Sequence, residues 1–524
     1  MAVGFSISRT QRLCRGETPP AAPGPTLPPA HRHPLTPRSP PVPRSTPMTH
    51  DDVAPVYGSA VTKVEPFGVD HIPDNERHGK PSSQFFVWFA AGLNFPIILL
   101  GFSAISLGLS FTGAVAAIIV GAGVGSVLMA VMSKMGVRLG VPQQIQARGP
   151  LGFFGNFLPV AYINVFAGVG WASVTVILGG KAIAELTHLP YWLCGLLLTA
   201  IELVVSIFGY NMINFLQRVL TYVLTPLFMM ITVVALVRGA GTFDANPKAD
   251  GYIGGTGGWI TFCGWFLSFL VAWAPFASDY SRYLPDTPKV VNRTAWYTGF
   301  GNFVTIAWLG ILGVLVGSNA NSTDSITALH ELAGPFAVPA LIAVGLSALA
   351  QNFLNVYGGA ISVQTLKVPV TRTQAVTVIC LLAYVISLWG ESGIEEKFSV
   401  FLNLTAYFIA PFAVVLLLDY WLGGRSDPAR IAELYDRGRV LSWGFVAWAG
   451  GVVASIPFWE SKLYTGAFAS AYPGAGDLSM YVGAGASVVL YLLTYRLKPL
   501  WVRAGADTDT PAGPPAEPAA VARP

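Results

Sequence analysis

Four uncharged polar side chains lie inside one of the most apolar stretches of this chain. The run from Gly345 to Gly359 contains Ser347, Gln351, Asn352 and Asn355 among alanine, leucine, valine and glycine. In a helix the first, second and fourth recur every four residues and the third lies about 100° from the second, so together they form one polar stripe. An amide that faced lipid unpaired would be costly, so the stripe faces a polar ligand, water or other helices. Hydrogen bonding between packed helices is the alternative to ligand binding.

A few titratable residues also lie within apolar runs. Glu202 stands in Thr199–Val205, where burial in a membrane favours the protonated, uncharged form and makes it a candidate proton carrier. A structural hydrogen bond to a neighbouring helix explains Glu202 equally well. Asp279 and Arg282 are three residues apart, a spacing that allows pairing on one helix face, and they are candidates for a gate or for a fixed structural anchor.

The composition identifies a membrane protein with several spans. Of 524 residues 53% are hydrophobic and only 11% are charged, with a mean hydropathy of +0.55. The small net charge of +4 is spread between apolar runs, which gives no support for nucleic-acid binding. The four cysteines lack metal or redox spacing, and no nucleotide loop or catalytic motif is present, so we expect neither an enzyme nor a cofactor.

Apolar runs long enough to cross a bilayer as helices number twelve by our count. The predicted spans are 85–109, 112–136, 155–183, 190–209, 213–237, 259–283, 295–317, 336–360, 373–391, 398–422, 441–459 and 478–496. Loops after even-numbered spans hold most of the loop Lys and Arg residues, such as Arg138, Lys289 and Arg372. By the positive-inside rule these loops and both termini are cytoplasmic.

Two predicted spans are interrupted at comparable positions. Asn94 and Pro96 interrupt the first, and the sixth reads Ser268 to Pro275 with Trp273 before its proline. Matching interruptions five spans apart are typical of an inverted five-plus-five repeat with a binding site beside both breaks. Simple proline kinks are the alternative.

Several short segments, in their order and placement, resemble the nucleobase-cation-symport-1 family, particularly its purine-cytosine permease branch. The resemblance covers about residues 65–500. The segments that carry it are Asp74–Arg77, Gly168–Ala172, Ile207–Phe215, Ser278–Pro285, Gln351–Tyr357 and Leu418–Trp421.

The resemblance implies a LeuT-type fold with two additional helices, and cation-coupled uptake of a planar heterocycle. It implies that Trp171 stacks on the ring of the substrate and that Asn352 pairs with its polar edge. The ring-contacting positions of the sixth span fall between Phe269 and Trp273. Further substrate-binding candidates are Asn94, Gln351 and Thr175.

The resemblance also bears on the coupling ion. Sodium-coupled members bind the ion with carbonyls that match Ala91 and Phe95 and with hydroxyls on the eighth span. Here the hydroxyl positions are Ala350 and Gln351, and only Ser347, one turn earlier, carries a hydroxyl. Because sodium prefers several hard oxygens, the candidate sodium site is weakened, and we favour proton coupling.

These observations predict a transporter in the plasma (cell inner) membrane that imports a nucleobase of the cytosine/purine class or a related planar heterocycle by cation symport, with proton coupling favoured. Alternatives are a carrier for a vitamin precursor of the pyridoxine or hydroxymethylpyrimidine type, sodium-coupled uptake, or a sensor that binds the same ligand without moving it. We expect a monomer in the lipid bilayer.

The predicted domain organisation has a transporter domain at 65–500 between two disordered tails. The Pro-rich tail covers 1–64, and its first 47 residues are a candidate start-site artefact because Met48 is an alternative initiator. The other tail covers 501–524.

Overall fold

The computed structural model describes residues 57–241, 243 and 252–503, and helices dominate these residues. The α-helices are α1 Ser83–Gly92, α2 Phe95–Phe102, α3 Phe111–Leu139, α4 Gln143–Gln146, α5 Arg148–Leu151, α6 Phe157–Ile163, α7 Trp171–Thr187, α8 Tyr191–Phe208, α9 Tyr210–Arg238, α10 Gly255–Trp273, α11 Pro288–Ser318, α12 Ser325–Ala333, α13 Ala337–Thr365, α14 Arg372–Gly390, α15 Ile394–Leu422, α16 Trp443–Ser455, α17 Ala467–Ala471 and α18 Ser479–Thr494.

Short segments of other types join these helices. A π-helix covers Asn164–Gly170. The 3₁₀ helices are Asp74–Glu76, Ala274–Tyr280, Gly334–Phe336, Pro428–Leu434, Ile456–Phe458 and Pro473–Ala475. Two small antiparallel pairs join β1 Arg439–Leu441 to β4 Trp501–Val502 and β2 Glu460–Ser461 to β3 Tyr464–Thr465. The predicted tails lie largely outside the described residues.

Nine helical spans in the described part of the chain are long and apolar enough to cross a membrane. The bent pair α1 and α2 would add one more, and α16 with its 3₁₀ extension and α18 are shorter apolar helices. The span Gly255–Tyr280 is 83% buried in its most apolar window and lies at the centre, whereas Tyr210–Arg238 is 28% buried and lies at the periphery. Peripheral side chains such as Val237 are exposed because their apolar partner is lipid.

The first predicted break is present and has a clear local cause. Helix α1 ends at Gly92, α2 starts at Phe95, and their axes differ by 49°. The Asn94 side chain caps α2 by accepting a hydrogen bond from the Ile97 N–H at 3.3 Å, and Pro96 occupies the first turn, where a missing N–H costs little.

The sixth span changes helix type where a break was predicted. Helix α10 ends at Trp273 and continues as the 3₁₀ segment Ala274–Tyr280, with Pro275 in its first turn. The third span has an irregularity that the sequence analysis did not predict, because the π-helix precedes Trp171 directly. Such π segments frequently occur at functional sites.

Glycines allow the central helices to approach closely. A Cβ atom on Gly121 of α3 would lie 2.4 Å from the Cys263 carbonyl oxygen of α10, and one on Gly168 would lie 3.1 Å from the Gly359 Cα of α13. Small residues do this in membrane bundles because packing, not water exclusion, drives helix association there.

Residues 57–82 form a segment, which we call the strap, across one face of the bundle, the strap face. The Ile72 N–H donates to the Gly140 carbonyl after α3, and the His78 N–H donates to the Tyr283 carbonyl after the 3₁₀ segment. The Val69 carbonyl accepts from the Tyr435 hydroxyl at 2.8 Å. The strap therefore connects the ends of helices from different parts of the chain.

Candidate functional site

Aromatic side chains from three helices meet around Trp171. Its ring meets Phe269 of α10 edge to face, with centroids 5.1 Å apart, and meets Phe398 and Phe401 of α15 at 5.6 and 5.3 Å. Trp171 is 3% exposed, and its indole N–H has no hydrogen-bond partner among the described residues. An unpaired indole N–H beside aromatic faces suits a flat, polar-edged ligand.

A second group of aromatic side chains lies between these rings and the strap face, and we call the two groups together the Trp171 wall. Trp273 lies edge to face with Trp88 of α1 at 5.7 Å and close to Phe276 at 6.2 Å. Trp88 also meets Tyr280 at 5.5 Å. The predicted positions Trp171, Phe269 and Trp273 thus line one region between α1, α7, α10 and α15.

The amides of α13 have different hydrogen-bond environments. Asn352 donates to the Ala172 carbonyl of α7 at 3.0 Å and accepts from Asn355 at 2.8 Å. Gln351 is 0% exposed, yet neither its amide oxygen nor its amide nitrogen has a partner in the described part of the chain. The Asn355 side-chain oxygen is also unpartnered.

The helix geometry shows the direction in which Gln351 points. Asn352 faces α7 and Gly359 faces the π-helix before α7 and Ile379 of α14, whereas Gly358 packs against Phe276 and the Leu354 carbonyl accepts from Tyr280 at 2.7 Å. At 100° per residue, Gln351 lies between these two directions, toward the space between α7 and the sixth span.

Glu202 lies next to the α13 amides. It is 1% exposed on α8, its carboxyl lies beside the Asn352 side chain, and one carboxyl oxygen has no partner among the described residues. Cys380 of α14 shares this environment. Glu202 therefore contacts the predicted substrate residue Asn352.

Several other predicted site residues bond within the bundle. The Thr175 hydroxyl donates to the Trp171 carbonyl at 2.8 Å, one turn back along α7. The Ser347 hydroxyl donates to the Val344 carbonyl at 2.7 Å. Phe95 is buried as the first residue of α2.

Two carbonyls next to the candidate sodium site accept hydrogen bonds from side-chain amides. The Asn94 amide donates to the Ala91 carbonyl, and the Gln217 amide donates to the Ala350 carbonyl at 2.5 Å. A carbonyl that already accepts a hydrogen bond from an amide has one of its two lone pairs engaged, which leaves less of the oxygen for a cation.

Arg282 is part of a buried polar cluster at the strap face. It pairs with Glu65 of the strap at 3.0 Å, with both side chains fully buried, and donates to the Gly68 carbonyl at 2.7 Å. The hydroxyls of Tyr283 and Tyr357 donate to the same Glu65 oxygen at 2.5 and 3.0 Å. We call Glu65, Arg282, Tyr283 and Tyr357 the strap cluster.

Asp279 bonds to α4, although its spacing from Arg282 would allow those two residues to pair. One of its carboxylate oxygens accepts from the Gln143 backbone N–H at 3.1 Å, at the start of α4. The strap provides Glu65 as the partner of Arg282, and α4 provides the Gln143 N–H for Asp279, so the two side chains have different partners despite their i, i+3 spacing.

The opposite face has its own polar contacts. Lys181 pairs with Asp324, and Tyr407 of α15 donates to Asp477 at 2.6 Å. Burial, and secondarily the charge of Asp477, raises the pKa of Glu460 to about 7. Burial also raises the pKa of Asp477 above its usual value.

Two small cavities lie away from the Trp171 wall. Each has about 10 Å³ of space, enough for roughly one water molecule. One is beside Asp419 and Arg425, and the other is beside Asp477 and Asn403. Neither is large enough to hold a heterocycle. We therefore locate the candidate site by the unpartnered amides of α13 and not by cavity volume.

The sequence analysis did not identify Glu65, Tyr357 or Gln217 as functional candidates. Glu65 lies 217 residues from Arg282, and no periodic pattern links positions that far apart. The sequence signal available for Gln217 is that it is a polar residue within a predicted span, as Glu202 is.

Comparison with known proteins adds to this geometry. Residues 71–483 match a family model described as permease for cytosine/purines, uracil, thiamine, allantoin. A "Putative purine-cytosine permease YxlA" of Bacillus subtilis (strain 168) is 30% identical over 459 residues, which is 83% of this chain and 97% of that protein. The vitamin B6 transporter TPN1 of Saccharomyces cerevisiae (strain ATCC 204508 / S288c) is 26% identical over 390 residues, 67% of this chain and 65% of that protein.

A solved structure shares the fold. Mhp1, a nucleobase-cation-symport-1 family transporter in a closed conformation with bromovinylhydantoin bound, superposes with a TM-score of 0.67 at 20% identity. The superposition covers 82% of this chain and 94% of Mhp1. These relatives are transport proteins and not enzymes.

Proposed function

Because the chain belongs to the family of permeases for cytosine/purines, uracil, thiamine and allantoin, we propose that it imports a nucleobase or a related planar heterocycle by proton symport. The observation that carries the proposal is the buried Trp171 wall beside unpartnered amides of α13. Aromatic rings select a flat ligand by stacking, and amides bind its polar edge. In this proposal Trp171 stacks on the ring, and the α13 amides, Asn352 first among those predicted, recognise the edge.

The proposed architecture has twelve spans with two inverted repeats of five. Counting the bent pair and the two shorter apolar helices as spans gives twelve. The α1–α2 break and the change of helix type after Trp273 occur in the first and sixth spans, as an inverted repeat requires. The positive-inside rule favours a cytoplasmic strap face, and the membrane of this proposal is the plasma membrane.

Proton coupling is supported by the polar groups next to the first break. The Ala91 and Ala350 carbonyls already accept amide hydrogen bonds, which disfavours a sodium ion there. Glu202 supplies a buried carboxyl beside Asn352, where a proton could be linked to ligand binding.

In the proposed transport cycle the strap cluster acts as the inner gate. Arg282 joins the sixth span to the strap through Glu65, so a cytoplasmic path between them opens only when this buried pair separates. Asp279 anchors the same segment to α4 through the Gln143 backbone.

Uptake of radiolabelled cytosine, adenine, hypoxanthine, uracil and pyridoxine tests the proposal in cells that lack their own carriers. Each is measured with and without sodium and with a protonophore. We expect saturable uptake of at least one nucleobase that the protonophore abolishes and that sodium does not affect. No saturable uptake of any heterocycle would disprove the proposal, and sodium-dependent uptake would disprove the coupling.

A vitamin precursor is the second candidate substrate. The vitamin B6 transporter relative supports it, and the Trp171 wall also suits a pyridine ring. Uptake of pyridoxine without uptake of the four nucleobases would favour this candidate.

A further inference from the structure

Three basic side chains lie around one phenyl ring at the strap face. The guanidinium carbon of Arg148 is 4.3 Å from the centroid of the Phe153 ring, and that of Arg437 is 5.8 Å from the same centroid. Lys367, which follows α13, is within the electrostatic reach of both arginines. We call Arg148, Lys367 and Arg437 the basic patch.

The basic patch has positive charge that the chain does not neutralise. None of its three members forms an ion pair within the part of the chain that the structure describes. The carboxylate that acts on Lys367 is the exposed Asp70 of the strap, and Glu433 already pairs with three other arginines. Partial burial, and then the charges of Arg148 and Arg437, lowers the pKa of Lys367. Because like charges disfavour one another, an anion would stabilise this arrangement.

Arg148 is the buried base of the basic patch. It is 2% exposed and donates to the Thr365 carbonyl at 2.8 Å and to the Leu434 carbonyl at 3.5 Å, whereas its Nε–H has no partner among the described residues. Burial, and to a lesser extent the charge of Arg437, lowers its pKa to about 10, so it stays charged at neutral pH. Arg437 and Lys367 are exposed, which makes the patch accessible from outside the bundle.

The basic patch lies at the level where two helical spans end. The span Phe157–Thr187 begins four residues after Phe153, and the span Ser325–Thr365 ends two residues before Lys367. The ends of spans mark the boundary between the hydrocarbon core and the headgroups of a bilayer. The patch is therefore at headgroup level, on the side that the positive-inside rule assigns to the cytoplasm, where anionic lipids attract basic segments.

Exposed apolar side chains continue from the basic patch along the third span. Phe154 is exposed and meets Phe153 with ring centroids 5.1 Å apart. Leu158 and Val165 are also exposed, and their spacing of seven residues, about two helical turns, puts them on one face. We call Phe154, Leu158 and Val165 the apolar strip. A soluble anion would contact the charges alone, whereas a phospholipid would contact both the charges and the strip.

We infer that the basic patch binds the phosphate group of an anionic phospholipid whose acyl chain lies along the apolar strip. Arg148 and Arg437 present planar groups of N–H donors that suit phosphate oxygens, and Lys367 adds a mobile positive charge. A zwitterionic headgroup carries its own cation, so it would be bound more weakly than an anionic one. The site is on the outside of the bundle and is distinct from the Trp171 wall.

Titration of dioleoylphosphatidylglycerol into the full-length protein in detergent micelles tests the inference. The Tm reports binding, because a ligand of the folded state raises it, and native mass spectrometry counts the lipids that stay bound. We expect the Tm to rise to a plateau with at least one phosphatidylglycerol bound. Dioleoylphosphatidylcholine, with the same acyl chains, should raise the Tm clearly less at equal mole fractions. Glycerol 3-phosphate, which has the phosphate but no acyl chain, should not raise it.

A double variant assigns the binding to the basic patch. Lys367→Asn with Arg437→Gln removes the two exposed charges and keeps the buried Arg148, and asparagine tolerates the φ of +59° at position 367. A basic side chain near anionic lipid contributes about 1 kcal/mol, or roughly fivefold, so the variant should need about tenfold or more phosphatidylglycerol for the half-maximal shift. The matched control is Lys289→Asn with Arg293→Gln, which removes two exposed charges at the start of α11 and should bind like the wild type.

The outcomes that would overturn the inference are distinct from one another. Equal Tm shifts with phosphatidylglycerol and phosphatidylcholine would do so without any variant. An equal shift with glycerol 3-phosphate would indicate a site for a soluble anion. Wild-type affinity in the folded Lys367→Asn, Arg437→Gln protein would mean that the lipid binds elsewhere. Binding that appears only in a chain ended at Arg503 would mean that residues 504–524 occupy the patch.

Folding and function are controlled separately in this experiment. The Tm without added lipid and the size-exclusion profile identify the folded variants. Binding is measured without a transport substrate, so the result is independent of the proposed function.

Discussion

Trp171 illustrates how a single residue depends on its local backbone. The π-helix before it adds a residue to the turn and changes which residues face α10 and α15. The motif around Gly168–Ala172 is sufficient to predict that Trp171 is important, but not that its indole N–H lacks a partner. Hydrogen-bond partners of a side chain depend on neighbouring helices, which the sequence of one segment does not specify.

Replacing Trp171 tests the role of its ring. Trp171→Ala should lower uptake efficiency by about 10- to 100-fold, because base–aromatic stacking contributes about 1–3 kcal/mol. Trp171→Phe should retain more uptake, since it keeps an aromatic face. Initial uptake rates at several substrate concentrations measure this.

The matched control for Trp171 is Trp296→Ala, at a tryptophan that is 67% exposed on α11. We expect its uptake to stay near the wild-type value. If Trp171→Ala and Trp296→Ala had the same uptake, Trp171 would not contact the substrate.

Glu202 provides a second test at the residue scale. In Glu202→Gln the carboxyl can no longer bind and release a proton, so uptake should lose its dependence on external pH and no longer accumulate substrate against a gradient. Exchange of internal for external substrate should continue, because exchange needs no net proton movement. Accumulation and pH dependence equal to those of the wild type would exclude Glu202 from coupling.

At the scale of elements, the strap and the breaks differ in how well the sequence predicts them. The α1–α2 break follows from Asn94 and Pro96, whose effects are local, and the predicted span bounds lie close to the observed helices for the same reason. The strap cluster joins Glu65 to Arg282 and Tyr357, which are distant in the chain. The spacing of Asp279 and Arg282 allows them to pair, but in the structure the ion-pair partner of Arg282 is Glu65 of the strap.

The strap cluster makes a prediction for stability. Glu65→Ala leaves Arg282 buried and unpaired, which should cost about 3–5 kcal/mol. We therefore expect a clearly lower Tm in detergent. The double variant Glu65→Gln with Arg282→Met should recover much of the loss, because it removes both buried charges.

The control for the strap cluster is Glu396→Ala, which removes an exposed ion pair with Lys462. Its Tm should be unchanged, since exposed pairs contribute little. A Tm for Glu65→Ala as high as that of this control would show that the strap pair does not hold the face closed.

At the scale of the whole molecule, the two faces have different polar contacts. The strap face has a fully buried ion pair, whereas the opposite face has Lys181 with Asp324 and a group of carboxyls near Tyr407. The family and the multi-span fold are predictable from hydropathy and short motifs. The contacts at each face are not, because they join loops whose sequences lack a period.

The opposite face makes a prediction for pH. Glu460 has a pKa raised from 4.5 to about 7, so its stabilising contribution is complete below pH 4.5 and is lost as the pH rises to 7. Replacing it with glutamine removes this dependence. The Tm of the wild type should therefore fall relative to that of Glu460→Gln between pH 5 and pH 7.5, by the linkage of protonation to folding.

An exposed carboxyl, Glu331, supplies the comparison for Glu460. Glu331→Gln should follow the wild type at every pH. Parallel Tm curves for the wild type and Glu460→Gln would mean that Glu460 titrates identically in the folded and unfolded protein.

The strap also has a consequence for biosynthesis. Glu65 precedes Arg282 by 217 residues and Tyr357 by 292 residues. At about 5–20 residues per second, Glu65 leaves the ribosome on the order of 10 to 60 s before these partners are made. The strap, which is translated before the helices that it contacts, is therefore among the last segments to dock. In nascent chains that end before α13, the Glu65 carboxylate and the Arg282 guanidinium still lack the Tyr357 hydroxyl.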